Sequence, residues 1–180
     1  RVRSSAASDV YKRQVLIENV NPVERDGEEV KQKVILVDHN EIGQAAPGIE
    51  NADVVEIIDH HRIADVSTAN PILFLNLPIG STATIVTLQF RQTGIELPDS
   101  IARVLLSAIL TDTVIMKSPT CTQVDVDQVN FLADKLGIDA VEYGMDIFRT
   151  RGGEDKMPIA KLVEADSKAV SYTHLRAHET

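Results

Sequence analysis

The sequence predicts an α/β fold in which a parallel sheet is followed by amphipathic helices. Two short apolar runs, Val34–Val37 and Val54–Ile58, are rich in β-branched residues and bounded by polar ones, as is typical of buried parallel strands. Each run ends in a polar triplet, Asp38–Asn40 (DHN) after the first and Asp59–His61 (DHH) after the second. Ligands of open α/β sheets bind just beyond the carboxyl ends of the strands, so we expect both triplets at one edge of the sheet.

Composition limits the classes of function. A chain of 180 residues buries about 70% of its unfolded surface, which is enough for one domain with a core. The net charge is −9, and it is −12 without residues 1–14, so we expect no nucleic-acid partner, although a small anion held by metal ions is compatible. The sequence contains no apolar stretch of about 18 residues, so we expect no membrane span. The single cysteine, Cys121, fits a reducing cytosol.

Both ends of the chain differ in character from its middle. Residues 1–14 have no hydrophobic period and no initiating Met, so we interpret them as a non-native or disordered leader, with a transit-like segment as the alternative. Residues 170–180 are interpreted as a similar tail. Between them we expect an α/β domain over residues 15–150 and a linker with a short helix over residues 151–169. The chain is therefore expected to be a fragment.

The predicted strands precede the predicted helices. Lys33–Val37, Ala52–Ile58 and Pro71–Leu75 are the three expected strands. Glu41–Ile49 contains two glycines and a proline and is expected to be a loop with at most one helical turn. The residues before the first strand, which include the Asp26-Gly27 pair, are expected to be a polar connector.

Four helices are expected after the strands. Ser81 is the predicted N-cap of the first, which runs through Thr93 and stops at Gly94. The second begins near Pro98 and has one apolar stripe, with Asp112 one turn beyond it; the predicted stripe consists of Ile101, Val104, Leu105, Ala108 and Ile109. Lys117–Thr120 (KSPT) breaks this helix, and two further helices are expected, Val124–Leu136 and Asp139–Thr150. Asp125 and Asp127 are interpreted as complementing the dipole of the third helix.

The two triplets together favour a metal site over two polar turns. Asp38 and Asp59 each follow an apolar strand, where an unpaired carboxylate is poorly solvated. Carboxylate and imidazole ligands suit Mn²⁺, Co²⁺ or Mg²⁺, whereas structural zinc sites use thiolates. His39 is a candidate ligand, but an orienting or capping role is favoured.

Five motifs in order resemble those of the family II (manganese-dependent) inorganic pyrophosphatases of the DHH phosphoesterase superfamily. The motifs are VILVDHNE, VVEIIDHHRI, GSTATIV, LLSAILTDT and KSPTCT, and the resemblance extends from Val15 to Lys168. It implies a Rossmann-like parallel sheet flanked by helices, the DHH domain. The family's first strand ends in an H-x-x-P-D-x-D motif, which is absent here, so the sheet is expected to be incomplete at its N-terminal edge.

The resemblance also implies the roles of site residues. Asp38 is implied to bridge two metal ions, with His60 and Asp112 as ligands of the second. His61 is implied to contact a substrate phosphate. The expected catalytic residues are therefore Asp38, His60, His61 and Asp112. Asp59 is expected to orient a ligand rather than bind metal directly, and His39 is expected to have a similar role.

The implied reaction is hydrolysis of inorganic pyrophosphate to two phosphates. The resemblance implies Mn²⁺, with Co²⁺ or Mg²⁺ as alternatives, at two or more ions per complete site, and a cytoplasmic homodimer. Two metal ions about 3.5–4 Å apart can clamp an electrophilic phosphate. Because the first-strand motif and the family's C-terminal domain are missing, we expect low activity from this chain.

Two other functions remain open from the sequence. One is a DHH phosphodiesterase acting on short oligonucleotides or cyclic dinucleotides, which is disfavoured by the acidic charge and the 4% aromatic content. The other is a non-catalytic ligand-binding or oligomerising module, because some family members carry nucleotide-sensing CBS domains before the DHN strand.

Overall fold

The computed structural model describes residues 20–151, and its first elements form a small antiparallel hairpin. Strands β1 (Val23–Arg25) and β2 (Glu28–Val30) pair through a turn at Asp26 and Gly27, whose φ angles are 55° and 81°. An Asp-Gly pair with two positive φ angles is the preferred two-residue hairpin turn. The expected polar connector is therefore wrong here. The hairpin gave no alternating apolar signal because nearly all of its residues are exposed.

A second, parallel sheet carries the two sequence triplets. It contains β3 (Lys33–Val37), β4 (Asp53–Asp59) and β5 (Leu73–Asn76) in the order β3-β4-β5, with β4 in the centre. Val37 is level with Ile58, so the carboxyl ends of β3 and β4 lie side by side. The predicted α/β fold with a parallel sheet is confirmed, and the strand boundaries differ from those expected by at most two residues.

The central strand is buried and the edge strand is not. Ile57 of β4 is fully buried and Leu36 of β3 is 4% exposed, whereas Ile35 and Val37 of β3 are 53% and 46% exposed. The prediction that Val34–Val37 is a buried strand is therefore wrong for the face with Ile35 and Val37. β3 is an edge strand, and no element of residues 20–151 packs over the Ile35 face.

Within residues 20–151, four helices follow the sheet: α1 (Thr82–Thr93), α2 (Asp99–Asp112), α3 (Gln123–Leu136) and α4 (Ala140–Arg151). Helix α1 begins after Ser81, whose hydroxyl accepts from the Ala83 amide, and ends at Gly94 with φ 67°. Both limits are as predicted, since a left-handed glycine stops a helix at low cost. Each of these helices is too short and too polar to cross a lipid bilayer.

The buried face of helix α2 overlaps only partly with the expected stripe, since Leu105 and Ile109 are buried as predicted and the rest of the face is shifted. Ile101 and Val104 are 42% and 47% exposed. The buried face lies about one residue further along the helix, because α1, α3 and α4 all pack against α2; it consists of Ala102, Leu105, Leu106, Ile109 and Leu110. This face and Val129 and Leu132 of α3 form the helical core.

A left-handed turn follows the last residue of α2. Val114, Ile115 and Met116 have φ angles of 49°, 53° and 61°. The amides of Lys117 and Ser118 both donate to the Thr113 carbonyl, at 2.9 and 2.8 Å. Such a conformation costs roughly 1–2 kcal/mol per L-residue. Strain of this kind clusters at functional sites, and this turn begins two residues after Asp112.

Candidate metal centre

The two strand ends bring three potential ligands together. Asp38 follows β3, His60 and His61 follow β4, and one ligand atom from each lies within 4.8 Å of the other two. The His60 Nε2 atom is 3.5 Å from the Asp38 carboxylate. Asp38 has a φ of 67°, a left-handed conformation that aspartate tolerates better than most residues. The expected meeting of the triplets at one sheet edge is observed.

The tautomer of His60 is set by a backbone carbonyl. Its Nδ1 atom lies 2.9 Å from the Ile79 oxygen, which can only accept a hydrogen bond. Nδ1 therefore carries the proton in the neutral ring, and Nε2, the atom near Asp38, keeps its lone pair. A metal-binding imidazole usually has its other nitrogen held by a carbonyl or carboxylate in this way.

The buried carboxylate of Asp59 holds the imidazole of His61. This carboxylate is fully buried and accepts hydrogen bonds from the His60 amide at 2.7 Å, the His61 amide at 3.2 Å and His61 Nδ1 at 2.8 Å. Burial alone raises the pKa of Asp59, but hydrogen bonds from His61, Asn40 and the two amides outweigh it and lower that pKa. The predicted orienting role of Asp59 would act through the His61 contact.

Asn40 joins the two triplets, a role that the sequence analysis did not assign. Its buried amide nitrogen donates to Asp59 and to the Arg62 carbonyl, and its oxygen accepts from the Ala64 amide. All three bonds connect the loop after β3 with the end of β4 and the loop that follows it. The available signal was its place as the third residue of the first triplet.

Asp112 lies at the end of α2, in the neighbourhood of the three ligands but outside their 4.8 Å group. Ser81 donates to its carboxylate at 2.6 Å, in addition to capping α1. The residue Asp112 as a whole is exposed, yet partial burial of its carboxyl group is the largest cause of its raised pKa, and the charge of Asp38 raises this pKa further. Two mutually repelling carboxylates favour a cation between them. Whether Asp112 is a ligand stays a prediction.

The imidazole of His39 contacts the backbone and is not part of the group of three potential metal ligands. Its Nδ1 atom is 3.0 Å from the Val37 carbonyl, and its Nε2 atom is buried with no hydrogen-bond partner among residues 20–151. Its expected orienting role remains a prediction.

The donor set fits a divalent cation. Asp38, His60 and His61 offer one carboxylate and two imidazoles at one point, and Asp112 adds a second carboxylate nearby. Mixed oxygen and nitrogen ligands of this kind suit Mn²⁺ or Co²⁺. The fixed Nδ1 proton of His60 leaves Nε2 free to coordinate.

A family match covers the strands and most of α2. Residues 3–109 match the DHH family, N-terminal domain. The chain belongs to the DHH family. The match includes Asp38, His60 and His61 and ends before Asp112. It also includes residues 3–14, and our interpretation of residues 1–14 as a leader remains a prediction. Arg151, the first residue of the expected linker, belongs to α4, whereas the rest of the linker with its short helix and the tail lie outside the described residues.

Similar proteins are named as pyrophosphatases. The chain is 42% identical over 146 residues to the probable manganese-dependent inorganic pyrophosphatase of Brevibacillus brevis, covering 81% of this chain and 47% of that protein. It is 46% identical over 138 residues to the cobalt-dependent inorganic pyrophosphatase of Clostridium perfringens, covering 77% of this chain and 25% of the relative.

A solved structure is similar to the fold described above. The crystal structure of the Methanococcus jannaschii putative family II inorganic pyrophosphatase matches with a TM-score of 0.62 and 37% identity. The match covers 68% of this chain and 44% of that one. The predicted resemblance is confirmed, and the chain spans about half the length of the Brevibacillus brevis relative.

Proposed function

We propose that this chain is the metal-binding half of an enzyme that hydrolyses inorganic pyrophosphate to two phosphates. The observation that carries the proposal is the grouping of Asp38, His60 and His61 within 4.8 Å at the ends of two parallel strands. The names of relatives such as that from Brevibacillus brevis support pyrophosphate as the substrate.

The proposal assigns a role to each residue of the site. Asp38, His60 and Asp112 would hold Mn²⁺, with Co²⁺ or Mg²⁺ as alternatives. When bound, two or more such ions would lower the pKa of water and neutralise phosphate charge. His61, oriented by Asp59, would contact a phosphate oxygen of the substrate. Ser81 orients the Asp112 carboxylate through its 2.6 Å hydrogen bond.

The proposal also includes low activity for the 180 residues by themselves. The H-x-x-P-D-x-D motif implied for the first metal is absent from this sequence. A homodimer and a cytoplasmic location are proposed from the resemblance, and the single cysteine supports a reducing compartment.

A chimera tests whether this half supplies working ligands. Residues 20–151 would replace the aligned segment of the Brevibacillus brevis relative, and phosphate release from pyrophosphate would be measured with Mn²⁺. We expect release by the chimera, a loss of at least a hundredfold in its Asp38→Asn variant, and little change in its Glu50→Gln variant. A folded chimera whose rate is the same with Asp38 and with Asn at that position would overturn the proposal.

The 180-residue chain by itself tests the second part. We expect its Mn²⁺-dependent phosphate release to be far below that of the chimera. Comparable rates would contradict the low activity, and cleavage of a short oligonucleotide in place of pyrophosphate would favour the phosphodiesterase.

A further inference from the structure

We propose that Asp125, on helix α3, is a positioning residue that fixes the orientations of His60 and Asp112 through the segment Ile79–Ser81. The inference rests on the proposed function, because it gives the positioned side chains their purpose. Asp125 touches neither of them.

Asp125 is a fully buried anchor with four donors. Its Oδ2 atom accepts from the Gly80 amide at 2.8 Å and from the amide and hydroxyl of Thr122, each at 2.7 Å. Its Oδ1 atom accepts from the Thr84 hydroxyl at 2.6 Å. The bond from the Thr122 amide is one half of the capping box of α3, in which the Thr122 side chain accepts from the Asp125 amide in return, and this agrees with the interpretation of Asp125 as a residue of the helix start. The bonds to Gly80 and Thr84 go beyond that role, because they connect α3 to the start of α1.

One peptide unit connects Asp125 with His60. The carbonyl of Ile79 accepts from His60 Nδ1, and the amide of Gly80 donates to Asp125. These two groups belong to the same planar trans peptide, so their directions are coupled. Fixing the Gly80 amide therefore fixes the carbonyl that sets the tautomer and ring orientation of His60.

The segment Ile79–Ser81 also holds the carboxylate of Asp112. Ser81 follows Gly80 directly and donates to Asp112 at 2.6 Å. Gly80 itself is enclosed, since a Cβ atom there would lie 2.7 Å from Thr113 Cγ2 and 3.0 Å from Asp125 Oδ2. The segment is therefore held between Asp125 and the residue that follows Asp112.

The side-chain ¹⁵N shifts of His60 test the inference in the metal-free 180-residue chain. In the wild type we expect a single Nδ1-protonated tautomer. Asp125→Asn leaves one neutral oxygen in place of the charged carboxylate for four donors, so the hold on the Gly80 amide weakens and His60 is expected to populate both tautomers. Asp127→Asn, two residues along the same helix, is the matched control and is expected to keep the wild-type shifts. A general loss of stability does not change the tautomer of the folded population.

A milder pair of variants covers the case in which Asp125→Asn does not fold. Thr84→Val removes one donor to Asp125, whereas Thr87→Val changes an equally buried threonine whose hydroxyl donates to the Ala83 carbonyl. We expect tautomer mixing in the first variant alone. Unchanged His60 shifts in the folded Asp125→Asn variant, or in Thr84→Val if the former does not fold, would overturn the inference.

Titration with Mn²⁺ separates this inference from the proposed function. We expect Asp125→Asn to weaken Mn²⁺ binding about tenfold, the lower end of the loss seen for outer partners of metal ligands. Absence of Mn²⁺ binding in the wild type would count against the proposed function. The tautomer measurement would still decide the role of Asp125, because it needs no metal.

Discussion

Asp59 and Asp125 are two buried carboxylates whose hydrogen-bond donors come from different parts of the chain. Both side chains are fully buried, each accepts four hydrogen bonds, and these bonds lower both pKa values against the effect of burial. Three of the four donors to Asp59 come from the next two residues, His60 and His61. By contrast, Gly80 and Thr84 reach Asp125 from 45 and 41 positions earlier in the chain.

Asp59 is therefore held mainly by its neighbours in the sequence, whereas Asp125 connects elements that are distant in the sequence. Asp59 acts directly on His61 and on the amide of His60, a proposed metal ligand, so its loss is expected to affect the metal site most. Asp125 acts by joining α3 to the start of α1, so its loss is expected to affect both the packing of the helices and the geometry of the site. Four predictions test this contrast, from the largest effect to the smallest.

Substitution of Asp59 by Asn has the largest expected effect. It removes the charged acceptor that holds the amide of His60, a proposed metal ligand, together with the amide and Nδ1 of His61, so Mn²⁺ affinity is expected to fall 10–100-fold and the free energy of unfolding by about 1–3 kcal/mol. Calorimetric Mn²⁺ titration and urea unfolding measure the two quantities. Glu50→Gln is an exposed control on the same half of the molecule. Unchanged Mn²⁺ affinity would remove Asp59 from the site.

Substitution of Gly80 by Ala tests the close approach that Asp125 enforces. A Cβ atom has no room between Thr113 and Asp125, so we expect the free energy of unfolding to fall by about 1–3 kcal/mol. At Gly43 nothing lies within 4 Å of the same added atom, and Gly43→Ala is expected to stay within about 0.5 kcal/mol of the wild type. Equal effects of both substitutions in urea unfolding would show that the segment is loosely packed.

The two threonines of α1 give a smaller contrast. Thr84→Val leaves Asp125 Oδ1 short of a donor and is expected to cost about 1 kcal/mol of unfolding free energy. Thr87→Val removes only a bond to the helical Ala83 carbonyl and is expected to cost less. Thermal unfolding of the pair measures the difference, and the opposite ranking would refute the anchor role of Asp125.

The pH dependence of stability gives the smallest effect. The folded pKa of Asp125 is lowered, so its contribution to stability is complete above its unfolded pKa of about 3.9 and is lost as pH falls through the folded pKa. Asp125→Asn is therefore expected to lose stability less steeply than the wild type below about pH 4. Urea unfolding at several pH values checks this, with Asp127→Asn as control. Parallel curves for Asp125→Asn and the wild type would contradict the lowered pKa.

The same contrast explains what the sequence could predict. Strands β3 and β4 and the triplets after them are local patterns, and parallel strands bring their carboxyl ends together by geometry alone. The limits of α1 followed from Ser81 and Gly94, because capping and left-handed glycine are local chemistry. The meeting of Asp38, His60 and His61 was therefore predictable.

Features that depend on distant contacts were not predictable. Asp125 looked like a helix-start residue because its partners Gly80 and Thr84 are distant in sequence. The buried face of α2 depends on three packed helices, and an apolar pattern with Ile101 and Val104 on one side could not choose between neighbouring stripes. The left-handed turn at Val114–Met116 contains no glycine to announce it.

A double-mutant cycle of Mn²⁺ binding tests the central claim, that Asp38 and His60 share one divalent cation. Mn²⁺ affinity would be measured by calorimetry for the wild type, Asp38→Asn, His60→Ala and the double variant of the 180-residue chain. We predict that each single substitution weakens binding strongly and that the double substitution costs clearly less than the sum of the two. Losses that simply add, or single variants that bind Mn²⁺ as the wild type does, would contradict the shared site.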